Sequence, residues 1–461
     1  MHDGARELLR VRDCRVSGAV SALSRRQLLG LGTVGLAAAV AARPGLTWAQ
    51  DATPVATPAL PDYTGQTLNF MIIQPHAVTG DLLKADFGAA TGAMVELTVV
   101  PYDEVQAKAT LDVQSGANVF DVLDYWYPTV GALASQGVIE DLTDFIDSDP
   151  DIDPADFIPS IYDVYTLYDG RRYGIPYDGD THVLFYNTEI FERNGLTAPE
   201  TWDDFLNAAK TITEAESGNG VFGAALQGFQ APIIIGSSYA NRLAGFGGEF
   251  LTDDAKPALD SEAAVQAAQA MLDVAPYTLP TPLETGFEQA LPAFLSGQIA
   301  MMEFWTDLGV YAEGPDSQIA GKWDVVQMPY GGSNRKHIAP LNAGFCFSVS
   351  TGSKNKEMAR EFVKFATSKD YHLKLLTVTG SGIDPMRLSA LEAEEYKAFA
   401  PKVQAAATAS LSGAFAWPTI VESPELMQVL ADELALMLQG NKDAATAIGD
   451  AQAAWVQILE V

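Results

Sequence analysis

Cysteine is nearly absent from this chain, with only Cys14 and Cys346 in 461 residues. If Cys14 is removed with a leader, Cys346 is left alone and no internal disulfide can form. Cys346 falls in "GFCFSVS", an alternating, strand-like stretch that reads as a buried, inert thiol. Histidine is scarce as well. Past the first residues there are only His76, His182, His337 and His372, and no two of them share a metal-ligand spacing. HExxH, Walker A and GxSxG motifs are all missing. Positive charge is short, with 28 Lys and Arg against 59 Asp and Glu, a formal net charge of −31. Beyond residue 49 the balance is 21 basic to 56 acidic. Such a surface repels nucleic acid and anionic membranes. No apolar run reaches the roughly 20 residues that a membrane span needs.

The longest apolar run, Leu28 to Ala42, follows a basic leader and precedes small residues near "TWAQ". That is the plan of a cleavable secretion signal. Arg25-Arg26, with Ser24 before them and Leu28-Leu29 after, resembles the twin-arginine export signal. Residues 1–49 are therefore read as the signal, with cleavage after Ala49. No Cys stands there to carry a lipid. Residues 50–62, rich in Pro, Thr and Ala, read as a tether.

Structure starts at "QTLNFMIIQ", a strand. "DLLKADFGAATG" is a helix closing on Gly92, "AMVELTVVP" a strand, "YDEVQAKATLDVQSG" a helix and "NVFDVLDYW" a third strand. Alternation of this kind predicts an α/β protein with βαβ units and a mainly parallel sheet. "TWDDFLNAAKTIT" carries a capping box at Thr201 and Asp204. In "NKEMAREFVKFATS", Met358, Phe362, Val363 and Ala366 share one face. Two helices close the chain.

Two motif-like stretches have simpler readings. "GNGVFG" (218–223) matches GxGxxG but follows a helix rather than a strand, which makes it a turn and not a dinucleotide site. Asp147, Asp149, Asp151 and Asp153 alternate as in a calcium loop. Ile152 and Ile158 stand where that loop needs Gly and Glu, so the segment reads as a solvated turn. The sequence calls for no metal and no cofactor.

Aromatics and carboxylates gather instead in connection-like segments: "QPH", "DYWYP", "YGIPYDGDTH", "EFWTD" and "FAWPT". Ligands of open α/β sheets bind outside the strands' carboxyl ends. Sugars suit such walls, because C–H faces stack on aromatic rings and hydroxyls pair with carboxylates.

"DGRRYGIPYDGDTHVLFYNTEIFERNGLTAPETWDDF" resembles the signature stretch of family 1 extracellular solute-binding proteins of ABC importers. The matching positions are Gly170, Tyr173, Gly174, Pro176, Tyr186, Asn187, Gly195, Leu196, Pro199, Thr201 and Trp202. "RLAGFGGEFL", "FLSGQIAMMEFW" and "APLNAGFCFSVSTGSKNKEMAREFVKFATS" resemble later blocks of that family. The resemblance implies a periplasmic-binding-protein-like fold, two α/β lobes with a ligand cleft at the hinge. It implies lobe 1 from 63–179 plus 327–375 and lobe 2 from 180–326 plus 376–461, the chain returning near "QMPYGG". It implies ligand contacts from Gln74, His76, Tyr125, Trp126, Tyr127, Tyr177, Asp178, Asp180, Trp305, Gly344, Phe345 and Trp417. Pro128 and Thr129 replace a charged, sugar-clamping pair of the family's maltose binders, which argues against maltose and leaves a carbohydrate or polyol. The expected protein is a monomeric, non-catalytic receptor outside the cytoplasm, at the cell surface, that hands its ligand to ABC permease subunits. A cationic ligand such as a polyamine in the same fold, or a secreted carbohydrate-active enzyme, are the alternatives.

Overall fold

The computed structural model describes residues 60–411 and 413–460. The export signal and most of the tether fall outside these residues. Two sheets organise the rest. The first contains β1 (Thr67–Ile73), β2 (Met94–Val100), β3 (Val122–Trp126), β4 (Ile175–Asp178) and, from much later in the chain, β9 (Phe345–Val349). Its order is β2-β1-β3-β9-β4. The second contains β5 (His182–Asn187), β6 (Phe222–Ala224), β7 (Ile299–Trp305) and β8 (Trp323–Val326), in the order β8-β5-β7-β6.

The first three strands are parallel, as their βαβ pattern predicts. The sheets are nonetheless mixed rather than mainly parallel. β9 runs antiparallel to both β3 and β4, and β5 runs antiparallel to β7 and β8. The cause is topological: a strand that enters a sheet from the other lobe arrives from the opposite end, without a crossover helix to turn it round.

Burial explains the strand sequences. Leu68, Phe70, Met71 and Ile72 are all fully buried, so β1 is covered on both faces and reads as a continuous apolar run. The helix α1 (Ala77–Thr91) stops at Gly92, whose φ of 73° is left-handed. The helix α2 (Trp202–Glu216) starts with the expected capping box, Thr201 accepting from the Asp204 amide and Asp204 from that of Thr201. The helix α3 (Pro232–Phe246) is buried along most of its length and packs against α4 (Glu262–Val274) and α6 (Ser423–Leu438). In α5 (Lys356–Ala366), Phe362 meets Phe70 at 4.8 Å and Phe87 at 5.1 Å, joining β1, α1 and α5 in one core. The last helix, α7 (Ala444–Ile458), packs on α4 and α6.

The Gly218–Gly223 stretch is a helix-to-strand turn, running from a short 3-10 segment through left-handed Gly220 into β6. The alternate aspartates meet lysines: Asp149 accepts from Lys364 and Asp153 from Lys369, each at 2.7 Å.

Three segments join the two halves. The shortest is Gly179–Thr181, between β4 and β5. The second leads from β8 to β9. Tyr330 and Gly331 still bond to Glu200 and Gly245 of the second half, and the chain joins the first sheet only at Phe345, later than "QMPYGG". The third follows Arg387 and Ser389, which remain tied to Asp156.

Beneath the second sheet lies a buried ion pair. Arg242 grips Glu303 through two hydrogen bonds, of 2.7 and 2.9 Å, and its guanidinium lies 4.5 Å over the ring of Trp202. Replacing Arg242 with Met strands the Glu303 carboxylate in the core. Urea unfolding is expected to show a loss of about 3–5 kcal/mol, with most of it recovered in the Arg242→Met/Glu303→Leu double variant.

Candidate functional site

Strand ends and crossings meet at one cavity. The end of β1 supplies Ile73, Pro75 and His76, the end of β4 supplies Asp178, and the end of β7 supplies Trp305 and Asp307. Ala343 and Phe345 come from the entry to β9, and Gly382 and Asp384 from the irregular segment ahead of Arg387. Tyr102, Phe287 and the start of α3 complete the wall. The centre of a water molecule can move through about 50 Å³ of this cavity. Past Tyr102 and Ile233 the cleft opens into an outer chamber, about 350 Å³ on the same measure, lined among others by Trp126, Thr129, Gln230 and Gln428.

Carboxylates hold the crossings together. Asp178 Oδ1 accepts the Asp384 amide at 2.7 Å, and the Gly179 amide donates to the Asp384 carbonyl at 3.1 Å. Asp180 Oδ2 accepts the Ala343 amide at 2.6 Å. Thr306, just past β7, donates to the Asp384 carboxylate. A Cβ on Gly179 would lie 1.8 Å from the Pro385 carbonyl oxygen, so only glycine allows these two segments to touch. One oxygen of Asp178 and one of Asp180 are thus already committed to backbone. Asp180 Oδ1, Asp307 Oδ1 and the Trp305 indole N–H are buried with no partner.

A second chain of contacts fixes His76. The Tyr177 hydroxyl donates to Asp124 Oδ2 at 3.2 Å and meets His76 Nδ1 at 2.7 Å. Asp124 also accepts the Ile73 amide at 2.9 Å. His76 Nε2 stands 3.8 Å from Asp178 Oδ2. Gly382, at φ 72°, approaches so closely that a Cβ would be 2.7 Å from the His76 ring.

Burial dominates the electrostatics. It pushes His76 down to about 3, leaving the ring neutral. It pushes Asp307 up to about 7 and Asp124 up to about 8. Asp178, Asp180 and Asp384 rise well above the usual carboxylate range for the same reason, and mutual repulsion with Asp307 adds to it. No Lys or Arg lines the cavity. Among the described residues, no cluster of His, Cys, Asp and Glu is arranged to hold a metal ion.

Of the twelve residues anticipated from sequence, His76, Asp178, Trp305 and Phe345 line the cavity. Tyr177 and Asp180 lie just behind it. Trp126 is in the outer chamber, and Gln74 lines a separate hollow beside Tyr102. The other four do not reach the cavity in this conformation. Tyr125 and Tyr127 are fully buried, their hydroxyls donating to the carbonyls of Tyr165 and Leu341. Gly344 packs on Tyr165, and Trp417 stacks on Phe250 at 4.4 Å with its indole N–H donating to Asn342. β3 is covered on both faces as far as Tyr125, so that ring serves the core, while Trp126 at the strand's end is only half-buried. Sequence reasoning missed Tyr102, Phe287, Asp307 and Asp384. Asp307 carried a signal, lying two residues past Trp305 in "EFWTD"; Asp384, in an irregular segment, carried none.

The profile of the bacterial extracellular solute-binding proteins matches residues 76–372. A probable amino-acid ABC transporter periplasmic-binding protein of Sinorhizobium fredii is 27% identical over 441 residues, covering 91% of this chain and 95% of that one. A solute-binding protein of Agrobacterium radiobacter, solved with ribitol, superposes with a TM-score of 0.78 at 24% identity, over 86% of this chain and all of that one. One from Thermotoga lettingae, solved with α-D-tagatose, gives 0.76 at 25% identity over the same shares.

The raised carboxyls set a sign for stability against pH. A carboxyl whose folded pKa is raised binds more protons folded than unfolded, so its contribution is present below the ordinary value near 3.8 and is lost as pH rises through the folded value. Buried His76, His182 and His372, each pushed down to about 3, act with the opposite sign below about pH 6.5, so the carboxyl contribution is read by difference. Relative to the parent protein, Asp307→Asn is expected to gain melting temperature at pH 8 compared with pH 5.5; a relative change of the opposite sign would contradict the assignment.

Proposed function

The chain belongs to the bacterial extracellular solute-binding proteins, and from that premise we propose that it is the receptor of an ABC importer and carries one small sugar or polyol in the cavity between its two sheets. The observation that carries this reading is the cavity wall itself. Trp305, Phe287 and Tyr102 bring aromatic rings to a carbon skeleton, while the carboxyl groups of Asp178, Asp307 and Asp384 stand on the same wall for hydroxyl groups. The tagatose complex of the Thermotoga lettingae relative supports the same class of ligand. The name of the Sinorhizobium relative points to an amino acid. An amino acid's carboxylate would need a cation opposite it, and neither Lys nor Arg lines the cavity.

The receptor binds without turnover. In the open state the ligand meets one lobe; contacts to the second lobe then favour closure. Closed lobes are the form a permease would engage. We include in the proposal that the protein is monomeric and leaves the cytoplasm by the twin-arginine route, on the strength of Arg25-Arg26 ahead of a short apolar run. Among the described residues, no helix is long and apolar enough to cross a membrane.

A thermal-shift screen of residues 50–461 against sugars, alditols, polyamines and amino acids tests the reading, because a ligand of the folded state must raise the melting temperature. A sugar or alditol is expected to do so without being chemically changed. Trp305→Ala should weaken that ligand at least tenfold, roughly 1.4 kcal/mol, whereas Trp417→Ala should cost stability first. Full affinity in Trp305→Ala would remove that residue from the site. Replacing Arg25 and Arg26 with Lys should keep the protein in the cytoplasm, read by fractionating cells.

A further inference from the structure

The cavity holds more carboxyl groups than a neutral polyol can use. Asp178, Asp307 and Asp384 line it and Asp180 lies behind them, with no Lys or Arg among the lining residues. His76 does not supply the missing charge, because its Nε2 is 3.8 Å from Asp178 and burial keeps the ring neutral. Metal is not the counter-charge either, since no set of ligands with suitable geometry is present among the described residues. Part of the carboxylate surface has a structural task, accepting the amides of Asp384 and Ala343. Asp178, Asp307 and Asp384 still line the wall, and Asp307 Oδ1 has no partner within the protein. Without a cation, burial favours their protonated forms; a cationic ligand would favour the ionised ones, which a neutral hydroxyl does not.

From the juxtaposition of Asp178, Asp307 and Asp384 on one wall with Trp305 and Phe287 on the others, we infer that the ligand is a polyol carrying a protonated amine, an amino sugar or amino alditol. An ammonium offers three N–H donors and a full charge to the carboxylates. Aromatic faces accept the C–H groups next to it and add attraction of their own to a cation. The hydroxyls then pair with whichever lining carboxyl groups the ammonium leaves free. This inference rests on the sugar-or-polyol reading above and narrows it.

Calorimetry on the mature protein at pH 7.5 with matched pairs provides the test: 1-amino-1-deoxy-D-glucitol against D-glucitol, 1-amino-1-deoxyribitol against ribitol, and D-glucosamine against D-glucose. In at least one pair the amine is expected to bind tenfold or more tighter than its neutral partner, and to weaken several-fold between 50 and 500 mM NaCl. Asp307→Asn should cut the preference below threefold. The wild-type comparison stands without that variant should it fold poorly. A neutral member that binds as tightly as its amine in every pair that binds overturns the inference and leaves the sugar-or-polyol receptor standing. No binding by any member overturns it too, and the wider sugar screen then decides separately whether the receptor reading survives.

Discussion

The arrangement of the two lobes depends on carboxylates buried at the crossings and satisfied by backbone amides. Asp178 holds the Asp384 amide and Asp180 holds that of Ala343. The Asp180 bond joins the first connection to the second, the Asp178 bond ties the end of β4 to the segment that leads into the third, and Thr306 adds a tie from the end of β7 to Asp384. A low-dielectric setting makes these hydrogen bonds strong, and makes the same groups expensive if left unpaired. Structure and recognition therefore draw on one set of side chains. The oxygens not used on backbone are the ones left for a ligand.

The rest of the architecture delivers residues to that point. Parallel strands β1 and β3 end on the cleft side, and β4, β7 and β9 reach it from neighbouring directions. Glycines at 179 and 382 let the connecting segments approach until side chains of any size would collide. The His76–Tyr177–Asp124 chain fixes one wall, and the stack of Tyr177 on Phe347 at 3.9 Å fixes the tyrosine. A ligand would close the lobes by satisfying groups that come from both.

Much of the secondary structure was legible in the sequence, because local signals and burial agree there. The capping box at Thr201, the stop at Gly92 and the inward face of α5 are examples. The antiparallel strands were not, because strand direction depends on where the chain re-enters a sheet, which no local pattern records. The site divides along the same line. His76, Asp178 and Trp305 lie next to strands whose ends are readable, and they line the cavity. Asp384 comes from an irregular segment, Tyr102 from a connection and Phe287 from the first position of a helix, and no local pattern records where these meet. Tyr125, Tyr127 and Trp417 show the opposite limit. An aromatic at a strand end reads the same whether it faces a ligand or, as for Trp417 against Phe250, the core.

β9 lies between β3 and β4 in the first sheet, although the whole second sheet separates it from them along the chain. During synthesis, β3 and β4 emerge long before their shared neighbour. Both must wait with a row of unpaired amides and carbonyls and an uncovered apolar face until residue 349 has left the ribosome. Such non-local closure is slow, and its open edges invite pairing with other chains. The protein's maturation is therefore set by its last-arriving central strand.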